Sequence, residues 1–265
     1  MKHSARRWLV SGGAVVTVAG TVAFGLAGTA SAAKSDPAAS TGRTTSAAAY
    51  VPPNHDLYYG DRGAAVRSVQ KRLNQLHYYA GPDDGVYGPD LEEAVWAFKG
   101  VQGLPMNAYS NSVITYAFRK ALINPRLPYT KYPHGGSGRI EINQNIEVLV
   151  LYRDNKPHVI LHVSSGGRYY YCSQGSCGYA ITPDGKYKAL SYLQGDITVP
   201  LGFMENPVFF IGRAYAIHGG DLVPWYAASH GCVRIYNDAV NWFHKEVHIG
   251  VTHIYVFGST RQYIE

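Results

Sequence analysis

Residues 139–166 read RIEINQNIEVLVLYRDNKPHVILHVSSG. Within this stretch, IEINQNIEVLVLY and KPHVILHVSSG are dense in β-branched, aromatic and aliphatic residues, bounded by Gly, Pro or Asn. The apolar positions repeat with a period of two, which is the pattern of strands. Downstream, PVFFIG (207–212), RAYAIH (213–218) and THIYVFG (252–258) repeat the theme. Only one helix is expected there, from Asn237 to Lys245, with Val240 and Phe243 as its inward residues. Residues 139–262 therefore predict a mainly β domain with a sheet or sandwich core.

Upstream, residues 124–138 (NPRLPYTKYPHGGSG) are rich in Pro and Gly and read as a linker between domains. Before it the period is helical. Val66, Val69, Leu73 and Leu76 form one stripe. Leu91, Ala94, Val95 and Phe98 form a second, in a helix expected to start at Asp90, where Asp90 and Glu93 have capping-box spacing and Gly103 marks the end. A third helix is expected to carry Val113, Ile114, Ala117, Phe118 and Ala121. The turn PDDGVYGP joins the first two. The fold class expected is thus multidomain: a small three-helix bundle over 55–123, then the β domain.

The 265 residues suffice for two such domains. Residues 33–54 are mostly Ala, Ser, Thr and Pro, too poor in large apolar groups to fold, and read as a disordered linker. Residues 1–32 read as a cleavable export signal. Lys2, Arg6 and Arg7 precede an uncharged apolar run from Trp8 to Ala27, and Ala30-Ser31-Ala32 provides a cleavage site after Ala32. An uncleaved membrane anchor is the other reading of that run. Removing these residues deletes three basic groups and no acid, so the net charge falls from +6 to +3. That charge suits an anionic wall polymer, and it is far from a nucleic-acid footprint.

Export changes how cysteines are read. Cys172 and Cys177 share the loop YYYCSQGSCGY, and an oxidising compartment favours their pairing, which leaves Cys232 odd. That thiol lies in AIHGGDLVPWYAASHGCVRIY, residues 216–236, with His218 and His230 within fifteen positions of one another and the thiol. Nucleophilic sulfur needs a base beside it and donors for an oxyanion. His218 ends a predicted strand at a Gly-Gly turn, and Gly219 can supply the carbonyl that fixes its tautomer. Gly231 lets the backbone approach a bound carbonyl, so the N–H groups of His230, Gly231 and Cys232 are candidates for the oxyanion hole. A buried core thiol, a zinc set of His218, His230 and Cys232, and a papain-like protease are competing readings. H-x-C is a weak metal spacing without a fourth ligand, and papain-like nucleophiles precede their His in the chain. No metal or cofactor is expected.

These residues resemble the L,D-transpeptidase catalytic domain, the YkuD family. It carries an upstream His, here His218, and then [S/T]-H-G-C with an aliphatic residue and Arg or Asn. Those positions are Ser229, His230, Gly231, Cys232, Val233 and Arg234. Val163–Gly166 and Thr182–Tyr187 are similar to two further family segments, and the resemblance covers about residues 139–258. Only ten residues separate His218 from Ser229, fewer than in many members. Residues 55–123 resemble the type-1 peptidoglycan-binding domain through the first helix, DGVYG and AVWAFKGVQGL, although PMNAYSNS replaces its second glycine turn. The resemblance implies Cys232 as nucleophile, His218 as proton acceptor and donor, and supporting roles for Ser229, His230 and Arg234. Donor and acceptor stem peptides would be the substrates, joined by 3→3 cross-links. The helical domain would hold wall polymer, and turnover of a soluble substrate should change little without it, because the chemistry is expected after residue 139. An L,D-carboxypeptidase and a wall-binding protein with an inactive catalytic domain remain alternatives.

Overall fold

The structure, a computed structural model, describes residues 50–220 and 223–258. The expected signal and most of the following linker lie outside them. The helices are α1 (Ala64–Gln75), α2 (Pro89–Gln102), α3 (Tyr116–Ala121) and α4 (Asn237–Phe243). The strands are β1 (Arg139–Asn143), β2 (Val148–Arg153), β3 (Lys156–His162), β4 (Tyr170–Ser173), β5 (Ser176–Tyr179) and β6 (Gly185–Lys188), followed by β7 (Ser191–Tyr192), β8 (Asp196–Val199), β9 (Gly202–Ile211), β10 (Tyr215–Gly219), β11 (Val233–Ile235) and β12 (His253–Phe257). A helical N-terminal region thus precedes a mainly β domain.

Two sheets face one another. The first has the order β3-β2-β1-β12-β6, and the second β11-β10-β9-β7 with β8 also paired to β9. Between them pack Ile140, Ile142, Leu149 and Leu151 against Val208, Phe210, Ile217, Val233 and Ile235, with Val240 and Phe243 of α4 alongside. Strand β2 reads VLVLY because both of its faces are covered. Leu149 and Leu151 point into the sandwich, whereas Val148, Val150 and Tyr152 join Ile160 of β3 in a second core with α1, α2 and α3.

The helical region is therefore fused to the sheet. Its core residues Val66, Val69, Leu73, Val95, Phe98 and Phe118 share one cluster with the outer face of β2 and β3. α2 approaches the sheet at Gly100, where a Cβ would stand 2.8 Å from the Ile146 carbonyl. The edge strand β3 is also bridged, Ile160 N–H donating to His77 O at 2.8 Å. The described residues, helical region and sheets together, fall in one compact unit. The segment expected to link the domains covers the rest of this face: Thr130 Oγ1 and Lys131 N donate to Glu141 at 2.6 and 2.9 Å, and Tyr132 stacks on Tyr255 at 4.3 Å. Glu141 is thereby satisfied together with its buried partner Arg139, 2.8 Å away.

Local details differ from the periodicity. α2 is capped by Gly88 with Pro89 in its first turn, and no side chain caps it, so Asp90 and Glu93 form no capping box. Proline pre-sets the first helical φ and lacks the N–H that a cap would satisfy. α3 begins only after Thr115, whose hydroxyl accepts from Phe118 N, because Ile114 is drawn into a bridge with Leu57. α4 tightens into a 3-10 turn at His244–Glu246.

Candidate active site

β10 and β11 run parallel, with Ile217 paired to Val233 and His218 to Arg234. Ile217, Val233 and Ile235 point into the sandwich. Strand alternation then turns His218, Arg234 and, just ahead of β11, Cys232 to the opposite face. Diagonal positions on neighbouring strands lie about 8 Å apart at Cα, within joint reach of an imidazole and a thiol. That face opens into a cleft of about 650 Å³ lined by His218, Ser229, His230, Gly231, Cys232 and Arg234. Tyr171, Leu201, Phe203, Met204, Arg213 and Tyr215 complete its walls.

His218 is buried, and its Nδ1 lies 2.7 Å from the carbonyl of Gly219. A carbonyl only accepts, so Nδ1 carries the hydrogen and Nε2 keeps its lone pair. Burial lowers the pKa of this imidazole to about 4; the Gly219 bond opposes the shift and Arg234 adds to it. Cys232 is a free, half-buried thiol with Sγ 3.8 Å from Ala214 O. Burial raises its pKa, while the Ala216 backbone and Arg234 pull it down. Both shifts favour uncharged forms, so the resting pair is thiol and neutral imidazole. Arg234 makes no ion pair among the described residues, and its Nε is buried without a partner.

The loop carrying Cys232 is splinted from below. Gly231 has φ +145, and a Cβ there would meet the Tyr215 ring at 2.8 Å and Ile181 O at 2.9 Å, so the position demands glycine. Ser229 Oγ accepts from Gly231 N at 3.0 Å and donates to Cys232 O. The Gly231 N–H is thus engaged within the loop and does not point at a substrate. Ser229 N donates to Ser165 O, and Gly167 N to Ser229 O. Thr182 Oγ1 accepts from Gly166 N and donates to Gly231 O. Behind this cradle, buried Glu147 accepts from Ser165 N at 2.7 Å and from Ser165 Oγ at 2.8 Å.

A solved structure shares this architecture. An L,D-transpeptidase from Xylanimonas cellulosilytica DSM 15894 is 31% identical, at TM-score 0.71, with 78% of this chain and 100% of that one covered. The chain belongs to the L,D-transpeptidase family. The family's catalytic domain matches residues 137–256, and a peptidoglycan binding domain matches residues 62–111. Because the Xylanimonas match covers 78% of this chain, it extends well beyond those 120 residues. An L,D-transpeptidase from Stackebrandtia nassauensis is 16% identical over 80% of this chain and 100% of its own, at a TM-score of 0.44. No curated protein matches the chain.

Within this member of the family, His230 differs from His218 in setting. It is exposed, and its ring lies edge-on to Tyr171 at 4.7 Å and Tyr169 at 5.6 Å. Tyr171 sits on the hairpin β4–β5, where Cys172 and Cys177 pair across the strands and form a disulfide. No group of three His, Cys, Asp or Glu among the described residues could hold a metal ion. Sequence reasoning passed over Glu147, Ser165 and His162. The available signal was a lone carboxylate inside the apolar run IEVLVLY, where an acid has no place unless something buried binds it.

Proposed function

We propose that the chain is an exported peptidoglycan L,D-transpeptidase that works through a Cys232 thioester. The observation that carries this reading is a tautomer-fixed, neutral His218 on the same sheet face as the free thiol. Cys232 Sγ attacks the carbonyl of the third residue in a tetrapeptide stem while His218 Nε2 takes the thiol proton. The imidazolium returns that proton to the departing amine, and the terminal D-amino acid leaves. A side-chain amine of a second stem attacks the thioester, His218 again carries the proton, and the thiol is restored with a 3→3 cross-link formed. With the Gly231 N–H engaged by Ser229, the backbone N–H groups of His230 and Cys232 are left as oxyanion donors. Arg234, without an ion-pair partner among the described residues, suits a substrate carboxylate.

In this reading residues 1–32 are the signal, cleaved after Ala32, and 33–54 the reach from the membrane. Residues 55–123 hold wall polymer, 124–138 connect, and 139–262 catalyse. Hydrolysis of the same thioester would make the enzyme an L,D-carboxypeptidase, and an inactive catalytic domain would leave only wall binding. Muropeptide analysis of a tetrapeptide digest separates these outcomes. Cross-linked dimer supports the proposal, free tripeptide alone would replace it with hydrolysis, and unchanged tetrapeptide would overturn it.

A further inference from the structure

The helical region and the active-site loop meet at one side chain. His162 ends β3 on the face that Ile160 presents to the helices. Its ring packs edge-to-face on Trp96 of α2, with centroids 5.2 Å apart and planes at 72°. On its other side, Nε2 lies 2.9 Å from the carbonyl of Pro224. The carbonyl must accept, so Nε2 bears the hydrogen, while buried Nδ1 makes no well-formed hydrogen bond among the described residues, and the Glu147 backbone also faces the ring. Trp96 Nε1 is likewise a buried donor without a partner. The contact therefore holds by shape, and one hydrogen bond passes it on to the loop. Two residues further along the chain, Ser164 Oγ donates to Tyr226 O and accepts from Ala228 N, so the path from Pro224 to Ser229 is tied at each end.

We infer that Trp96 and His162 are positioning residues for acyl transfer, through which the helical region sets the placement of the loop bearing Ser229 to Cys232. Neither touches substrate. The inference rests on the reading of Cys232 as nucleophile, and its test keeps the two apart.

His162→Phe keeps a ring against Trp96 but removes the donor to Pro224 O. His162→Gln restores a donor without the ring. Trp96→Phe keeps an aromatic edge. The full chain and each variant are treated with meropenem, a carbapenem that requires oxyanion donors, and separately with iodoacetamide, which requires only the thiol and its base. Melting is followed in parallel. Loss of one such hydrogen bond should slow meropenem acylation of His162→Phe about tenfold while alkylation keeps its rate and pH profile. His162→Gln should recover most of the loss, and Trp96→Phe should stay within about threefold of the parent chain. Acylation of His162→Phe at the parent rate would overturn the inference. So would a parallel loss of acylation, alkylation and melting temperature, which marks a merely structural contact. Failure of the unaltered chain to be acylated would remove the nucleophile reading and this inference with it.

Discussion

Excising residues 50–123 should cost the β domain its fold, although the match to the family's catalytic domain begins only at residue 137. The deletion uncovers Val148, Val150, Tyr152 and Ile160, each at most 4% exposed in the intact chain. Returning a buried side chain of this size to water costs about 1.5–3 kcal/mol, so the four together forfeit about 6–12 kcal/mol, an upper estimate. A whole domain is typically stable by only about 5–15 kcal/mol. The edge of β3 would also lose its bridge to His77 and Tyr79, leaving unpaired backbone groups beside apolar side chains. This outcome would be the opposite of the expectation from sequence, a module whose loss leaves soluble turnover intact. Chemical denaturation and sedimentation of the excised chain would check this. A truncated protein that melts cooperatively, remains monomeric and keeps its rate on a soluble muropeptide would show that the β domain stands without the helices.

Further outcomes follow from the site. Gly231→Ala places a methyl 2.8 Å from the Tyr215 ring at a φ that side chains avoid, and should lower acylation by about a hundredfold, measured by stopped-flow fluorescence. Glu147→Ala leaves the buried N–H and hydroxyl of Ser165 without their acceptor, a loss of about 1–3 kcal/mol for each in denaturant titrations, whereas Glu147→Gln should recover most of it. His218 and His162 are both lowered to a pKa of about 4 from 6.5 by burial. Each histidine should therefore withdraw stability as pH drops from its unfolded value towards 4, by about 3 kcal/mol, while Glu147, raised by burial to about 8, shifts the total the other way. NMR titration of the two imidazoles checks the assignment, and a ring that protonates near 6.5 in the folded chain would contradict it.

Much of the β domain and the site was legible because each rests on local pattern. Alternation in RIEIN and in the runs after it located strands, and the odd-cysteine argument together with S-H-G-C isolated Cys232. The turn after His218 even indicated the Gly219 carbonyl. What stayed illegible depends on partners distant in sequence. Nothing in VLVLY distinguishes a strand covered on one face by its own sandwich from one covered on the other by α2. Ile114 fits a helical stripe until Leu57 claims it as a bridge partner. Glu147 and His162 acquire meaning only from Ser165 and Pro224, and no spacing announces either pair.

Whether Cys232 forms the acyl-enzyme is read out by intact mass after exposure to a carbapenem. Cys172 and Cys177 are bonded to one another, so only one thiol is free to react. A single covalent adduct is expected on the parent chain and none on Cys232→Ala. An adduct that survives the substitution, or a folded parent chain that takes none, would contradict it.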